Sequence, residues 1–191
     1  MRAILTLAHG AGAGMNHSFM TSLSHGLADE GIGTVRFNFP FMEQKKKRVD
    51  SPTVAHKTVE AATYKAHELF PTVPLFVSGK SFGGRMSSQY LSGHFPDFVK
   101  GIVFFGFPLH PAGQPAVDRA EHLKTVKVPM LFLQGNRDEL AHWPLIEKVT
   151  DELPLATLVK LEGADHSFKA GKQNTMALLI RATNDWITQI N

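Results

Sequence analysis

Three side chains in this sequence have the types and the chain order that nucleophilic catalysis needs: Ser81, then Asp138, then His166. A serine hydroxyl is a weak nucleophile until a base takes its proton. An imidazole serves as that base when a carboxylate fixes its tautomer and stabilises the imidazolium. Ser81 lies in Gly79-Lys80-Ser81-Phe82-Gly83, the pattern G-x-S-x-G. Ahead of it, Leu75 to Ser78 reads as a short buried strand introduced by Pro74, and from Phe82 the Met, Ser, Gln and Leu content suits a helix. On so tight a strand-to-helix turn the serine is held in strained backbone geometry, and glycine at both flanks lets strand and helix approach. The turn presents the hydroxyl at the sheet edge, where free N–H groups at the helix start can meet a developing oxyanion.

Rival chemistry can be weighed on the same letters. Gly79-Lys80-Ser81 also ends a phosphate-binding P-loop, but that loop needs a glycine where Pro74 stands. Near the N-terminus, His9-Gly10-Ala11-Gly12-Ala13-Gly14 approaches the dinucleotide fingerprint G-x-G-x-x-G. Its third glycine position is Met15, and the expected acidic ribose partner is replaced by Phe37-Asn38-Phe39. The histidines outside His9, His110 and His166 show no H-E-x-x-H or similar spacing, so no metal site is expected. The chain has no cysteine, which excludes disulfides, thiolate metal sites and a cysteine nucleophile.

The elements that must position these residues follow from the apolar pattern. Ala3 to Ala8, Thr34 to Phe39, Leu75 to Ser78, Val99 to Phe105, Met130 to Leu133 and Thr157 to Leu161 read as six short strands. Helices are expected between them. One runs from Ser18 to Glu30, one runs to Phe70 after the Ser51-Pro52 start with Ala55, Val59, Ala62, Ala66 and Leu69 buried, and one closes the chain from Thr175 to Ile190. The pattern predicts an α/β fold, a three-layer doubly wound sandwich around a mostly parallel sheet of about six strands. In such sheets ligands gather at the carboxyl ends of the strands, and Gly10, Ser81, Asp138 and His166 each lie just past one.

With 191 residues, 43% of them hydrophobic, and no linker or internal repeat, a single domain over 1–191 is expected. The opening apolar run is too short for a signal peptide, no run approaches the length of a membrane span, and the expectation is a soluble, cytoplasmic protein. The net charge of +3 implies no nucleic-acid partner. Pro40 to Ser51 is expected to be a long polar loop, and the basic run Lys45 to Arg48 within it is read as solvated.

At this point the chain resembles the α/β-hydrolases over nearly its whole length. Gly79-Lys-Ser-Phe-Gly83, Gly135-Asn-Arg-Asp138 and Gly163-Ala-Asp-His-Ser-Phe168 match the family's nucleophile turn, acid loop and histidine loop, and His9-Gly10-Ala11 matches its oxyanion loop. The resemblance implies Ser81 as nucleophile, Asp138 as acid and His166 as base, with an oxyanion hole from the N–H of Phe82 and of Ala11 or a neighbour. It leaves His9 as a loop-structuring residue. The usual first hairpin is missing, and the short connection between Phe105 and Met130 leaves no room for a helical lid. The chain is most similar to small lidless members, the dienelactone-hydrolase-like and compact esterase group, with Phe-Asn-Phe-Pro-Phe-Met42 and Pro-Leu-His-Pro111 as further matches.

The implied activity is that of a serine hydrolase acting on a small-molecule ester or thioester, without a cofactor. The alternative is a non-catalytic interaction module that keeps the fold. Asp165 rivals Asp138 as the acid, but its adjacency to His166 makes the geometry awkward. Gly10, Lys80 and His110 are candidate substrate contacts, although Lys80 is expected to be solvated and His110 reads equally as a loop histidine. The sequence leaves acyl chain length, leaving group and oligomeric state open.

Overall fold

The computed structural model describes residues 1–190. Six strands, β1 (Ala3–Ala8), β2 (Ile32–Phe37), β3 (Leu75–Lys80), β4 (Val99–Phe105), β5 (Met130–Gly135) and β6 (Ala156–Leu161), pair in the order β2-β1-β3-β4-β5-β6. Every pairing is parallel, so the sheet is wholly rather than mostly parallel. The helices are α1 (Ser18–Asp29), α2 (Pro40–Glu43), α3 (Pro52–Leu69), α4 (Phe82–Gly93), α5 (Trp143–Asp151) and α6 (Thr175–Ile190), with a 3-10 helix over Asp118–Thr125.

Alternation along the strands divides the core into two layers. Ile4, Val77, Ile102, Phe104 and Phe132 face the side carrying α3, α4 and α5, while Leu5, Phe76, Val103, Phe105 and Leu133 face α1 and α6. Because both faces are covered, the central strands are apolar throughout, as their sequences indicated. Each fully buried aromatic ring contributes on the order of 1.5–3 kcal/mol relative to exposure. The registers pair Ala8 with Gly79, Lys80 with Phe105 and Gly135 with Leu161. The carboxyl ends therefore line up, and the loops that follow β1, β3, β5 and β6 emerge side by side.

Three local expectations are corrected. β2 begins at Ile32 and stops at Phe37, because Asn38 turns the chain: its side-chain oxygen accepts from the Met15 N–H at 2.8 Å and its amide donates to Glu43. The segment after Pro40 is not loop throughout, since α2 starts on that proline and buries Phe41. In α3 the buried stripe runs through Ala55, Val59, Thr63 and Ala66, with Phe70 packed against the same core just past the helix end, while Leu69 is 54% exposed. The next position four residues after Ala66 is 70, so Leu69 turns out of the stripe. The residues from 43 to 48, including the basic run, are exposed.

Candidate active site

Ser81 joins β3 to α4 with φ 50° and ψ −116°, a left-handed backbone conformation that a non-glycine residue adopts at a cost of about 1–3 kcal/mol. The flanking glycines explain how the turn closes. A Cβ on Gly79 would meet the Gly84 nitrogen at 2.4 Å, and one on Gly83 would meet the Ala8 and His9 carbonyl oxygens at 2.6 Å. The turn is pinned from the sheet by the Ser81 N–H, which donates to the Phe105 carbonyl at 3.3 Å.

Three side chains are hydrogen-bonded in series beyond this turn. His166 Nε2 lies 2.9 Å from Ser81 Oγ, and His166 Nδ1 lies 2.7 Å from Asp138 Oδ2. A carboxylate only accepts, so the proton is on Nδ1 and Nε2 is free to accept from the serine hydroxyl. The Asp138 side chain is 1% exposed and that of His166 is 20% exposed, so the acid is sealed while the imidazole reaches solvent. Asp138 is satisfied on both oxygens: Gln134 Nε2 donates to Oδ2 at 2.6 Å and the Leu140 N–H to Oδ1 at 2.7 Å. Charge-assisted bonds of this kind are the strong ones, and together they fix the carboxylate's plane. Gln134 is held in turn by the Phe107 N–H, which donates to its Oε1 at 2.8 Å. Asp165, the rival acid, instead accepts the N–H groups of Ser167 and Lys169 and shapes its own loop.

A cleft of about 450 Å³ opens above Ser81, lined by the loop from Gly10 to Ala13, by Phe19 and Met20 of α1, and by Leu140 and His166. Its walls are largely apolar. Gly10 packs directly on the turn, with its Cβ position 3.7 Å from the Ser81 Cβ. The N–H groups of Ala11 and Phe82 have no acceptor among the described residues. His9 shapes this loop from beneath: its Nε2 accepts the Phe39 N–H at 3.0 Å, its Nδ1 donates to the Gly10 carbonyl at 2.7 Å, and the ring is fully buried. Burial lowers its pKa, against the opposing pull of the Gly10 carbonyl and Asp50.

Lys80 does not behave as a solvated side chain. It lines the cleft, its ammonium donates to the His166 carbonyl at 2.5 Å, and it stands 4.7 Å from the centre of the Phe168 ring. Burial pushes its pKa down to about 8, although Asp138 and Asp165 pull the other way. His110 is displaced from its expected role. It is 2% exposed, outside the cleft, and ties two loops together by accepting the His142 N–H at 2.9 Å and bonding the Pro111 carbonyl at 2.8 Å. A histidine enclosed by Pro-rich chain has its ring atoms taken by nearby backbone. Gln134 escaped the sequence reading, although a lone amide near the end of the apolar Met130-Leu-Phe-Leu strand was a visible signal.

Among the described residues no three His, Asp or Glu side chains are grouped so that they could hold a metal ion, and no helix is long and apolar enough to cross a membrane. The segment from 106 to 129 carries only the 3-10 helix, which buries Ala120 and Leu123, and it places nothing over the cleft. Solved structures share this architecture. Est1E from Butyrivibrio proteoclasticus, with ferulic acid bound, superposes with a TM-score of 0.78 at 14% identity, covering 98% of this chain and 88% of that one. Dienelactone hydrolase from Anabaena variabilis gives 0.77 at 20% identity, covering 98% and 86%. A serine hydrolase without a lid from Xanthomonas campestris gives 0.76 at 21% identity, covering 97% and 82%. The family model described as alpha/beta hydrolase domain matches residues 1–188, and the chain belongs to that family.

Proposed function

We propose that this protein is a serine hydrolase that cleaves a small or exposed carboxylic ester or thioester. The observation that carries the reading is the unbroken series from Ser81 Oγ through both His166 nitrogens to Asp138, at 2.9 and 2.7 Å. Ser81 Oγ attacks the carbonyl carbon as His166 Nε2 takes its proton, and the carbonyl π electrons move onto oxygen. The resulting oxyanion is met by the N–H groups of Phe82 and Ala11, donors whose individual loss typically costs on the order of 10²–10³ in rate. His166 then returns the proton to the departing alcohol or thiol. Water attacks the acyl-serine by the same route and releases the acid. Throughout, Asp138 keeps the imidazole in its Nδ1–H tautomer.

The apolar cleft of about 450 Å³ suits an acyl group of modest size. Ferulic acid, present in the Est1E structure, is chemically an acid of the kind that ester hydrolysis leaves behind. The test is labelling with a fluorophosphonate probe, comparing the native chain with Ser81→Ala and His166→Ala. Labelling of the native protein that disappears in both variants supports the reading. A folded native protein that neither labels nor turns over short p-nitrophenyl esters would sink it, and would favour an interaction module that keeps the fold without the chemistry.

A further inference from the structure

Among the described residues the His166 backbone makes no hydrogen bond to other backbone, although its ring lies in line with Ser81. Its loop is anchored around it: the Arg137 N–H donates to the Ala164 carbonyl at 3.0 Å, and the Thr175 hydroxyl donates to the Phe168 carbonyl at 2.5 Å. At His166 itself no backbone N–H of the described residues donates to the carbonyl. The group that does is Lys80, the residue before Ser81. A single side chain thus links the backbone of the serine turn to the backbone of the histidine. A Cβ on Gly106 would lie 3.3 Å from Lys80 Nζ and 3.7 Å from His166 Cε1, so the ammonium and the imidazole edge share the space over one glycine. The head group is confined there by Phe19 and Phe168, which stack at 5.8 Å, and Phe168 takes a left-handed backbone conformation with φ 62°.

We infer that Lys80 is a positioning residue of this site, holding the histidine loop at the separation from Ser81 that proton transfer requires. This rests on the hydrolase reading above. A half-buried ammonium at the cleft wall, with no carboxylate within 4.0 Å, opposes folding, and burial depresses its pKa to about 8. Methionine would fill the same space among Phe19, Phe168 and the Gly10 loop without that penalty. A half-buried charge kept where an apolar side chain would pack more easily points to a role other than stability. The purpose available on this geometry is the His166 carbonyl.

Lys80→Met and Lys80→Gln test the inference, with four readouts: the fluorophosphonate labelling rate, kcat against KM on a short p-nitrophenyl ester, the thermal midpoint, and the low-field proton resonance of the His166 Nδ1–H. The expected result is a roughly 10- to 100-fold loss in labelling rate and in kcat, the scale of a displacement approaching 1 Å. KM should be little changed, the midpoint of Lys80→Met equal to or above that of the native chain, and the resonance shifted or broadened. Native labelling rates with an unchanged resonance overturn the inference. So does a loss confined to KM, which would make Lys80 a substrate contact. Failure of both variants to fold also overturns it, because the bond would then support the fold rather than the histidine. If the native chain itself does not label, the hydrolase reading falls, and the resonance, which needs no turnover, still decides whether Lys80 orders His166.

Discussion

Two polar clusters flank the first turns of α4, and they are built on opposite principles. In the first, at the carboxyl ends of the strands, Asp138 receives three donors, His166 uses both ring nitrogens, and Gln134 and Lys80 each find an acceptor. In the second, Arg85, Arg119 and His122 gather with no carboxylate partner among the described residues. Arg85 Nε is buried without a hydrogen bond, and Arg119 reaches only the Pro108 carbonyl at 3.5 Å. His122, bonded to Ser88 at 2.8 Å, has its pKa pushed down to about 4 by burial, then by Arg85 and His56. The first cluster spends several groups on fixing one imidazole. The second leaves like charges together. Preorganisation is therefore local, a property of one cluster rather than of the molecule.

The contrast is broken most severely at Asp138. Asp138→Asn should lower kcat on an ester substrate by on the order of 10⁴, because the amide favours the wrong imidazole tautomer. Steady-state kinetics at neutral pH measure this, and a loss under tenfold would mean that the acid does not act through His166. A smaller effect is expected at Gln134. Gln134→Leu leaves the Phe107 N–H unpaired and removes one donor from Asp138, costing about 1–3 kcal/mol in chemical denaturation. Some of that loss should also appear in kcat, as Asp138 gains freedom. A variant of native stability and native kcat would show the amide to be dispensable.

The second cluster should respond to acid instead. His122 binds its proton in the unfolded chain near 6.5 but in the folded chain only near 4, so the unfolded state holds more protons between those values. Stability is then fully present above about 6.5 and is lost as the pH falls toward 4. Arg85→Met should flatten this slope by removing one of the charges that oppose protonation, while Ser81 labelling at pH 7 stays native. Denaturation midpoints measured from pH 4 to 7.5 give the answer. An unaltered slope would assign the acid sensitivity to other groups.

Residues in these clusters were not equally legible in the sequence. Ser81, Asp138 and His166 stood out in the sequence by residue type and by place just past strand ends, and the structure brings the three into one hydrogen-bonded series; the flanking glycines mark where backbone must touch backbone. The strands themselves were plain because burial on both faces leaves no polar interruption. The destination of a long side chain carries no such mark. Lys80 has a flexible four-carbon stem, and nothing in its neighbours along the chain announces that its head turns under Phe168, nearly ninety residues away in sequence. His110 failed for the converse reason: its loop lies at the correct sheet edge, but backbone of residues 111 and 142 had already claimed its ring. Helix α2 was hidden because a proline, usually taken as a breaker, sits at the one helical position that suits it.

The strand order has a consequence for how this chain reaches its working state. Ser81 and His166 are 85 residues apart in sequence, and His166 follows β6, the outermost strand on its edge and the last to be synthesised. Pairing of β1 to β4 can proceed before that strand exists, but the imidazole arrives only when the sheet is extended to its final edge. Long-range closure of this sort is slow compared with local helix formation. During refolding, helical signal should return well ahead of probe labelling at Ser81, which would make that labelling a clock for the end of folding rather than its beginning.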